Sequence, residues 1–347
     1  MINKKILLVT EPIIASNTEH GYLLSGVQTN PLSKEWLMNN FIHQVMHGIN
    51  MSPDMNFYPI VDHTTCPCID YLRVSKEMIK ERWKSITEFL IDNINKQYYV
   101  IVHLDWFYVS NSSMYLDMHY EHPVLVYGYD KCEQKFYIGD FGKSRKFGFS
   151  KISFTELEQG FISDNSTRAR TFINERYLYI DDVILYRNRA TMNYKFDLDM
   201  LYNSIEDYLN STNVSKVYAQ GDYAFFSSAV FGLEAIRTMS MIIKKSIAEI
   251  EEYSINYKFI TVPLERTRLM IERVTYLQQV EKISFKSTML DEFKELYNMY
   301  NVLKNMVIKC NLIQDRTNIA RMIELKLQSI VEKEERIYTE FLKNKKL

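Results

Sequence analysis

Backbone breakers and imidazoles crowd into one end of this chain, and that asymmetry constrains its fold more than any single motif does. Six of the seven prolines lie at or before Pro123, no glycine follows Gly232, and all seven histidines fall within the first 122 residues. Proline and glycine inside a helix cost about 3 and about 1 kcal/mol. The last third is therefore free to run as long helices, while the first half has to turn often. Apolar residues recur at helical spacing through Leu269, Met270, Val274, Leu277 and Val280, and again through Leu290, Phe293, Leu296, Tyr300, Leu303 and Val307. A third run carries Ile319, Met322, Ile323, Leu327, Ile330, Val331 and Ile337, and a further helix is expected over 223–251. Pro263 stands where a first-turn proline would open a helix. Residues 191–347 thus read as an all-α helical bundle, a candidate surface for pairing two copies of the chain, with no residues that suggest chemistry.

The first 190 residues read differently. Two amphipathic helices are expected over 33–46 and 75–94, each opened by a serine able to cap it. The β-branched and aromatic density of 98–109 marks a strand. HPVLVYGYDKCEQKFYIGDF, at 122–141, reads as a β-hairpin with its turn at Asp130 to Gln134. Strand-like segments follow at 146–149 and 176–186, and Ser153 with Glu156 forms a capping box between them. Helices followed by an antiparallel sheet make residues 1–190 an α+β domain, with the boundary at 188–196.

Composition excludes several classes. Forty-two basic and 43 acidic side chains nearly cancel, so neither nucleic acid nor an anionic membrane is expected as a partner. Four cysteines in 347 residues are too sparse for a disulfide scaffold and suit a reducing, cytoplasmic setting. The start, MINKKILLVTEPII, is interrupted by Glu11 and Pro12 and lacks a small-residue cleavage site, so it is not expected to act as a signal peptide. No apolar stretch reaches the length of a membrane span.

The hairpin supplies the sharpest candidate site. His122 opens its first strand and Asp140 closes its second, so antiparallel pairing makes them neighbours at the open end. An imidazole beside a carboxylate is the arrangement of a general base, although a capping aspartate and an ordinary strand-end histidine would look the same. Cys66 and Cys68 flank Pro67 just ahead of a helix, where a thiol is acidified. They read equally as nucleophile candidates and as buried small residues. His63, Cys66, Cys68, His119 and His122 could also supply zinc ligands, but C-x-C is not the usual spacing. Asp105, at the end of an apolar strand, needs a partner or a sheet edge. No phosphate-cradling glycine loop, G-x-S-x-G elbow or H-E-x-x-H is present.

The segment 96–161 resembles the N-terminal domain of the butirosin biosynthesis protein H family. The likeness rests on the Asp-aromatic strand ending at Tyr108, H-x-x-H at 119–122, LVYGYD at 125–130, FYIGDF at 136–141 and S-F-x-E-L at 153–157. It implies a papain-like fold for the first domain and a cysteine-dependent acyltransferase in natural-product assembly, related to nonribosomal peptide and antibiotic biosynthesis. An acyl or peptidyl carrier protein would present a thioester, Cys66 would attack it, His122 would move the proton, Asp140 would hold the imidazole, and a small amine would take the acyl group. No cofactor is implied beyond the phosphopantetheine carried by that partner. One departure stands out: family members carry the nucleophilic Cys at the start of the first long helix, read here as beginning at Ser33. Ser33 in its place, a nucleophile moved to Cys66 or Cys68, and a non-catalytic accessory relative all remain open, as does a thiol peptidase. Gln28 precedes that helix where papain-like folds keep an oxyanion-hole glutamine.

Overall fold

The computed structural model describes residues 2–49, 53–59, 61–144, 146–163, 182–215, 229–248, 255–313 and 317–346. In chain order the elements begin with β1 (Lys4–Ile6), α1 (Thr18–Val27), α2 (Ser33–Asn39), β2 (Gln44–His47) and β3 (Asp54–Phe57). There follow β4 (Ile69–Ser75), α3 (Lys76–Arg82), α4 (Ile86–Asn95), β5 (Tyr99–Asp105), β6 (Glu121–Asp130), β7 (Lys135–Asp140), β8 (Gly148–Ser153), α5 (Phe154–Ile162) and β9 (Asp182–Asn188). The remainder comprises α6 (Leu198–Leu209), β10 (Val230–Phe231), α7 (Gly232–Ala248), α8 (Lys258–Gln279), α9 (Met289–Leu312) and α10 (Thr317–Leu342). The chain is mixed α+β with antiparallel sheets. No helix among the described residues is long and apolar enough to cross a membrane.

Two compact units divide the molecule: Met1–Lys34 with Asp62–Tyr194, and Glu35–Val61 with Lys195–Leu347. The division near 194 lies at the linker read from sequence, but the excursion 35–61 belongs with the C-terminal residues. Local chemistry accounts for that excursion. The expected helix over 33–46 stops at Asn39, because Phe41 turns the chain at φ 60° and Gln44–His47 pairs with Asp54–Phe57 as strand. Asn39 and Asn40, both poor helix formers, precede that turn.

The first unit is built on an antiparallel sheet in the order β4-β9-β5-β6-β7-β8, with β1 alongside the far half of β6. β5 is buried along nearly all its length and β6 from Val124 to Asp130, as their continuous apolar runs require. The expected helix at 75–94 is two helices, each capped by serine: Ser75 accepts from Met78 N–H and Ser85 from Glu88 N–H. The capping box at Ser153 and Glu156 forms and opens α5. Of the strand expected at 176–186, residues 182–186 lie in β9, and 176–181 fall outside the described residues.

The second unit holds the long helices α8, α9 and α10, with α6 and α7, and it is not purely helical. Its three-stranded sheet runs β10-β2-β3. Of the helix expected over 223–251, residues 232–248 form α7, Val230–Phe231 is strand β10 and not helix, and positions 223–228 and 249–251 are outside the described residues. α8 begins five residues ahead of Pro263, which therefore lies inside the helix. A fully buried ion pair between Arg266 and Glu334 forms the polar centre, with the Tyr300 hydroxyl donating to Glu334 at 2.8 Å and Arg266 reaching Gln44 of β2 at 3.2 Å.

Candidate functional site

The β6–β7 hairpin brings His122 and Asp140 together in the first unit. His122 Nδ1 lies 4.0 Å from Asp140 Oδ1, beyond hydrogen-bond reach. That nitrogen is instead 2.8 Å from the carbonyl of Pro123. Since a carbonyl only accepts, Nδ1 carries the hydrogen and Nε2 keeps its lone pair. The ring lies against Trp106, with centroids 3.9 Å apart. Burial pushes the imidazole down to about 4, only partly offset by the Pro123 carbonyl, so His122 is neutral at ordinary pH.

Asp140 carries the complementary perturbation. Burial pushes its carboxyl up to about 7 against the opposing effect of backbone hydrogen bonds from Phe141 and Gly142 and a side-chain bond from Tyr22. Phe141 N–H donates to Oδ1 at 2.6 Å, while Oδ2 is buried without a hydrogen-bond partner among the described residues. The couple thus holds two groups in or near their neutral forms, not an imidazolium and a carboxylate.

The element facing this couple is α1, which opens at Thr18 and is buried along most of its length. It is the first long helix, in place of the one expected from Ser33. Tyr22 of α1 donates to the Pro123 carbonyl at 2.6 Å and stands 3.5 Å from Asp140 Oδ1. No thiol or aliphatic hydroxyl of the described residues is hydrogen-bonded to His122 or Asp140.

Cys66 and Cys68 lie elsewhere. Pairing sets His122 opposite Leu104, level with the Ser75 end of β4, whereas Cys68 immediately precedes the Ile69 end. The seven residues of β4 span ~20 Å between those ends. Both thiols are buried, and burial pushes the Cys66 thiol up, the reverse of what a nucleophile requires. Cys66 therefore does not join His122 and Asp140. Ser33 is also buried, its hydroxyl donating to the Asn30 carbonyl at 2.7 Å. Gln28 closes the far end of α1 and accepts from Ile13 N–H at 2.9 Å, so it braces the N-terminal loop. Among the described residues no group of three or more His, Cys, Asp or Glu is placed to hold a metal ion.

A second imidazole–carboxylate couple is more tightly made. His119 Nδ1 is 2.7 Å from Asp105 Oδ2, which also accepts from Ser163 at 2.6 Å. Asp105 Oδ1 accepts from Phe107 N–H at 3.1 Å and Tyr120 N–H at 3.2 Å. Burial acts to raise this carboxyl, but the donors outweigh it and hold it below its usual value. A carboxylate saturated in this way clamps the 106–120 loop. The need for a partner at Asp105 was legible in the sequence; the partnership with His119 was not, because the two sit across an irregular loop. Tyr22 and Trp106 carried no sequence signal marking them as neighbours of His122.

No family model matches this chain, and no curated protein matches it by sequence.

Proposed function

We propose that this chain is a non-catalytic binding protein, an accessory component of carrier-protein-dependent natural-product assembly built on a degenerate papain-like domain. The observation that carries the reading is the occupant of the position facing His122 and Asp140. A papain-like acyltransferase needs a thiol there, and this chain presents the Tyr22 hydroxyl, already committed to the Pro123 carbonyl. A general base is most effective with a pKa near the working pH, whereas burial holds His122 near 4. The surroundings of the couple support the reading: α1 packs against β6, β7 and β9, and the imidazole and carboxyl keep the ends of paired strands. The protein would hold a carrier-borne acyl chain without accepting it covalently.

The test is to incubate the full chain with an acyl-loaded carrier protein and record intact masses alongside a binding isotherm. Saturable binding with no acyl adduct is expected. A thioester adduct on Cys66 or Cys68 that disappears in His122→Gln would establish the cysteine acyltransferase in its place.

A further inference from the structure

The sheet of the first unit ends on a strand that its own sequence does not protect. β4 pairs with β9 and with no other strand among the described residues. An edge strand presents a row of outward N–H and C=O groups, and folds usually blunt it with proline, lysine, a bulge or a cover. β8, at the opposite end of the sheet, opens at Gly148 and carries Lys151, ion-paired to Glu133 at 2.8 Å. β4 reads IDYLRVS, with no proline, glycine or lysine, and pairs with β9 over all seven residues in unbroken register. At its centre Tyr71 is 41% and Leu72 52% exposed.

The register fixes which backbone groups face outward. Arg189 N–H donates to the Cys68 carbonyl at 3.0 Å, one step beyond the Ile69–Asn188 pair of the β4–β9 ladder. Hydrogen-bonded pairs alternate along an antiparallel ladder, so Asp70, Leu72 and Val74 turn their backbone groups to β9. Ile69, Tyr71, Arg73 and Ser75 turn theirs to the outer edge. No hydrogen bond among the described residues takes up the outward groups of Tyr71. The charges along this edge are cancelled within the sheet: Arg73 pairs with Asp182 at 2.5 Å, and Asp70 with Arg189 at 2.8 Å. A second strand of the same sequence therefore meets no uncompensated like charge.

We propose that β4 is a self-association edge: two copies of the chain join antiparallel about a two-fold axis at Leu72, and one sheet continues into the other. Outward residues can pair only with outward residues, which limits the central registers to axes at Tyr71, Leu72 or Arg73. With the axis at Leu72, Tyr71 faces Arg73 of the second copy in a hydrogen-bonded pair that sets a guanidinium beside a ring. On the other side of the sheet Leu72 faces its own counterpart. An axis at Arg73 would set two guanidinium groups opposite each other, and one at Tyr71 would set the Asp70 carboxylate opposite Leu72. Of the three, only the Leu72 register is complementary at every central pair. This pairing lies in the first unit and not among the long helices, where the sequence suggests it, and it is independent of what His122 and Asp140 hold.

Sedimentation velocity of the full chain over a concentration series tests it. One strand pairing buries less than a standard interface, so a reversible dimer of micromolar affinity or weaker is expected. Tyr71→Pro removes an outward N–H and leaves the bonds to β9 in place, so it should hold the chain monomeric across the series. In a Cys132→Ser background, Leu72→Cys should form an intermolecular disulfide with oxidised glutathione, since residues facing across the axis lie about 4.5 Å apart at Cα. Val74→Cys faces Asp70 of the second copy and should not cross-link. A chain that is monomeric at every concentration overturns the proposal, as does a dimer undiminished in Tyr71→Pro. Cross-linking of Val74→Cys as readily as Leu72→Cys overturns it too. Should Tyr71→Pro fail to fold by circular dichroism, Leu72→Lys replaces it, because the axis sets its two ammonium groups face to face. Undiminished association in that variant is equally fatal.

Discussion

Replacing Asp140 by Asn should make the protein more stable at neutral pH, and the gain should vanish in acid. The carboxyl goes from 3.8 when unfolded to about 7 when folded, so between those values the native state holds more protons than the unfolded one. Stability contributed by this group is then fully present below 3.8 and lost as pH rises toward 7. At about 1.4 kcal/mol per pH unit the loss amounts to about 4 kcal/mol. His122 has the opposite slope. Its folded value near 4 lies below the unfolded 6.5, so its contribution is present above 6.5 and is lost as pH falls toward 4, about 3 kcal/mol in all. In the wild type the two slopes nearly cancel across that window, and each single variant uncovers the other. Urea unfolding at stepped pH measures this in a Trp36→Phe background, which leaves Trp83 and Trp106 as reporters of the first unit. Asp140→Asn should gain up to about 4 kcal/mol over the parent at pH 7.5 and little at pH 4. His122→Gln should gain at pH 4 and not at pH 7.5. If the couple were a true ion pair, removing either partner would destabilise near neutrality. A loss of stability in Asp140→Asn at pH 7.5, or a difference that does not vary with pH, refutes the account of two neutral buried groups.

Three further outcomes follow from the packing. Gly26→Ala would set a methyl 2.6 Å from the Tyr186 hydroxyl, which donates to the Tyr22 carbonyl, and should cost about 1–3 kcal/mol in denaturant melts. Glu334→Gln leaves Arg266 without a counter-charge in the second unit and should destabilise it by about 3–5 kcal/mol, whereas a joint replacement of both by apolar residues should recover most of that. Timed alkylation with iodoacetamide, read by peptide mass, should label the exposed Cys132 quickly and the buried Cys66, Cys68 and Cys310 slowly.

What could be read in advance was what local spacing decides. Two apolar runs joined by a polar turn forced His122 and Asp140 to the same end, because antiparallel pairing leaves no other placement for the ends of a hairpin. Ser75 and Ser153 capped helices for the same local reason. What escaped was set by burial. α1 has no periodic signature in the sequence because eight of its ten residues are buried, and a helix covered nearly all round has no polar face to give it a period. The strand β2 looked helical because Phe41, Ile42, Val45 and Met46 satisfy helical spacing as well as strand pairing, and only the turn at Phe41 separates the readings. Arg266 and Arg273 sit within a helix that reads as amphipathic, yet both are fully buried, since Glu334 and the Met38 carbonyl meet them from residues far away in the chain.

The two imidazole–carboxylate couples show why residue type and adjacency do not settle chemistry. Asp105 and Asp140 are both shielded by the fold and each lies beside a histidine. Asp105 collects hydrogen bonds from Ser163, His119, Phe107 and Tyr120, and that solvation by protein donors keeps it ionised despite its burial. Asp140 collects fewer, leaves Oδ2 bare, and drifts upward. An ionised, saturated carboxylate has no acceptor left to offer a ligand and serves the loop it clamps. An unsaturated one carries a standing cost that an incoming donor can relieve. The charge state is therefore decided by how many donors the fold delivers to each carboxyl. For Asp140 the described residues leave one oxygen without a donor, and burial then holds the carboxyl above its usual value.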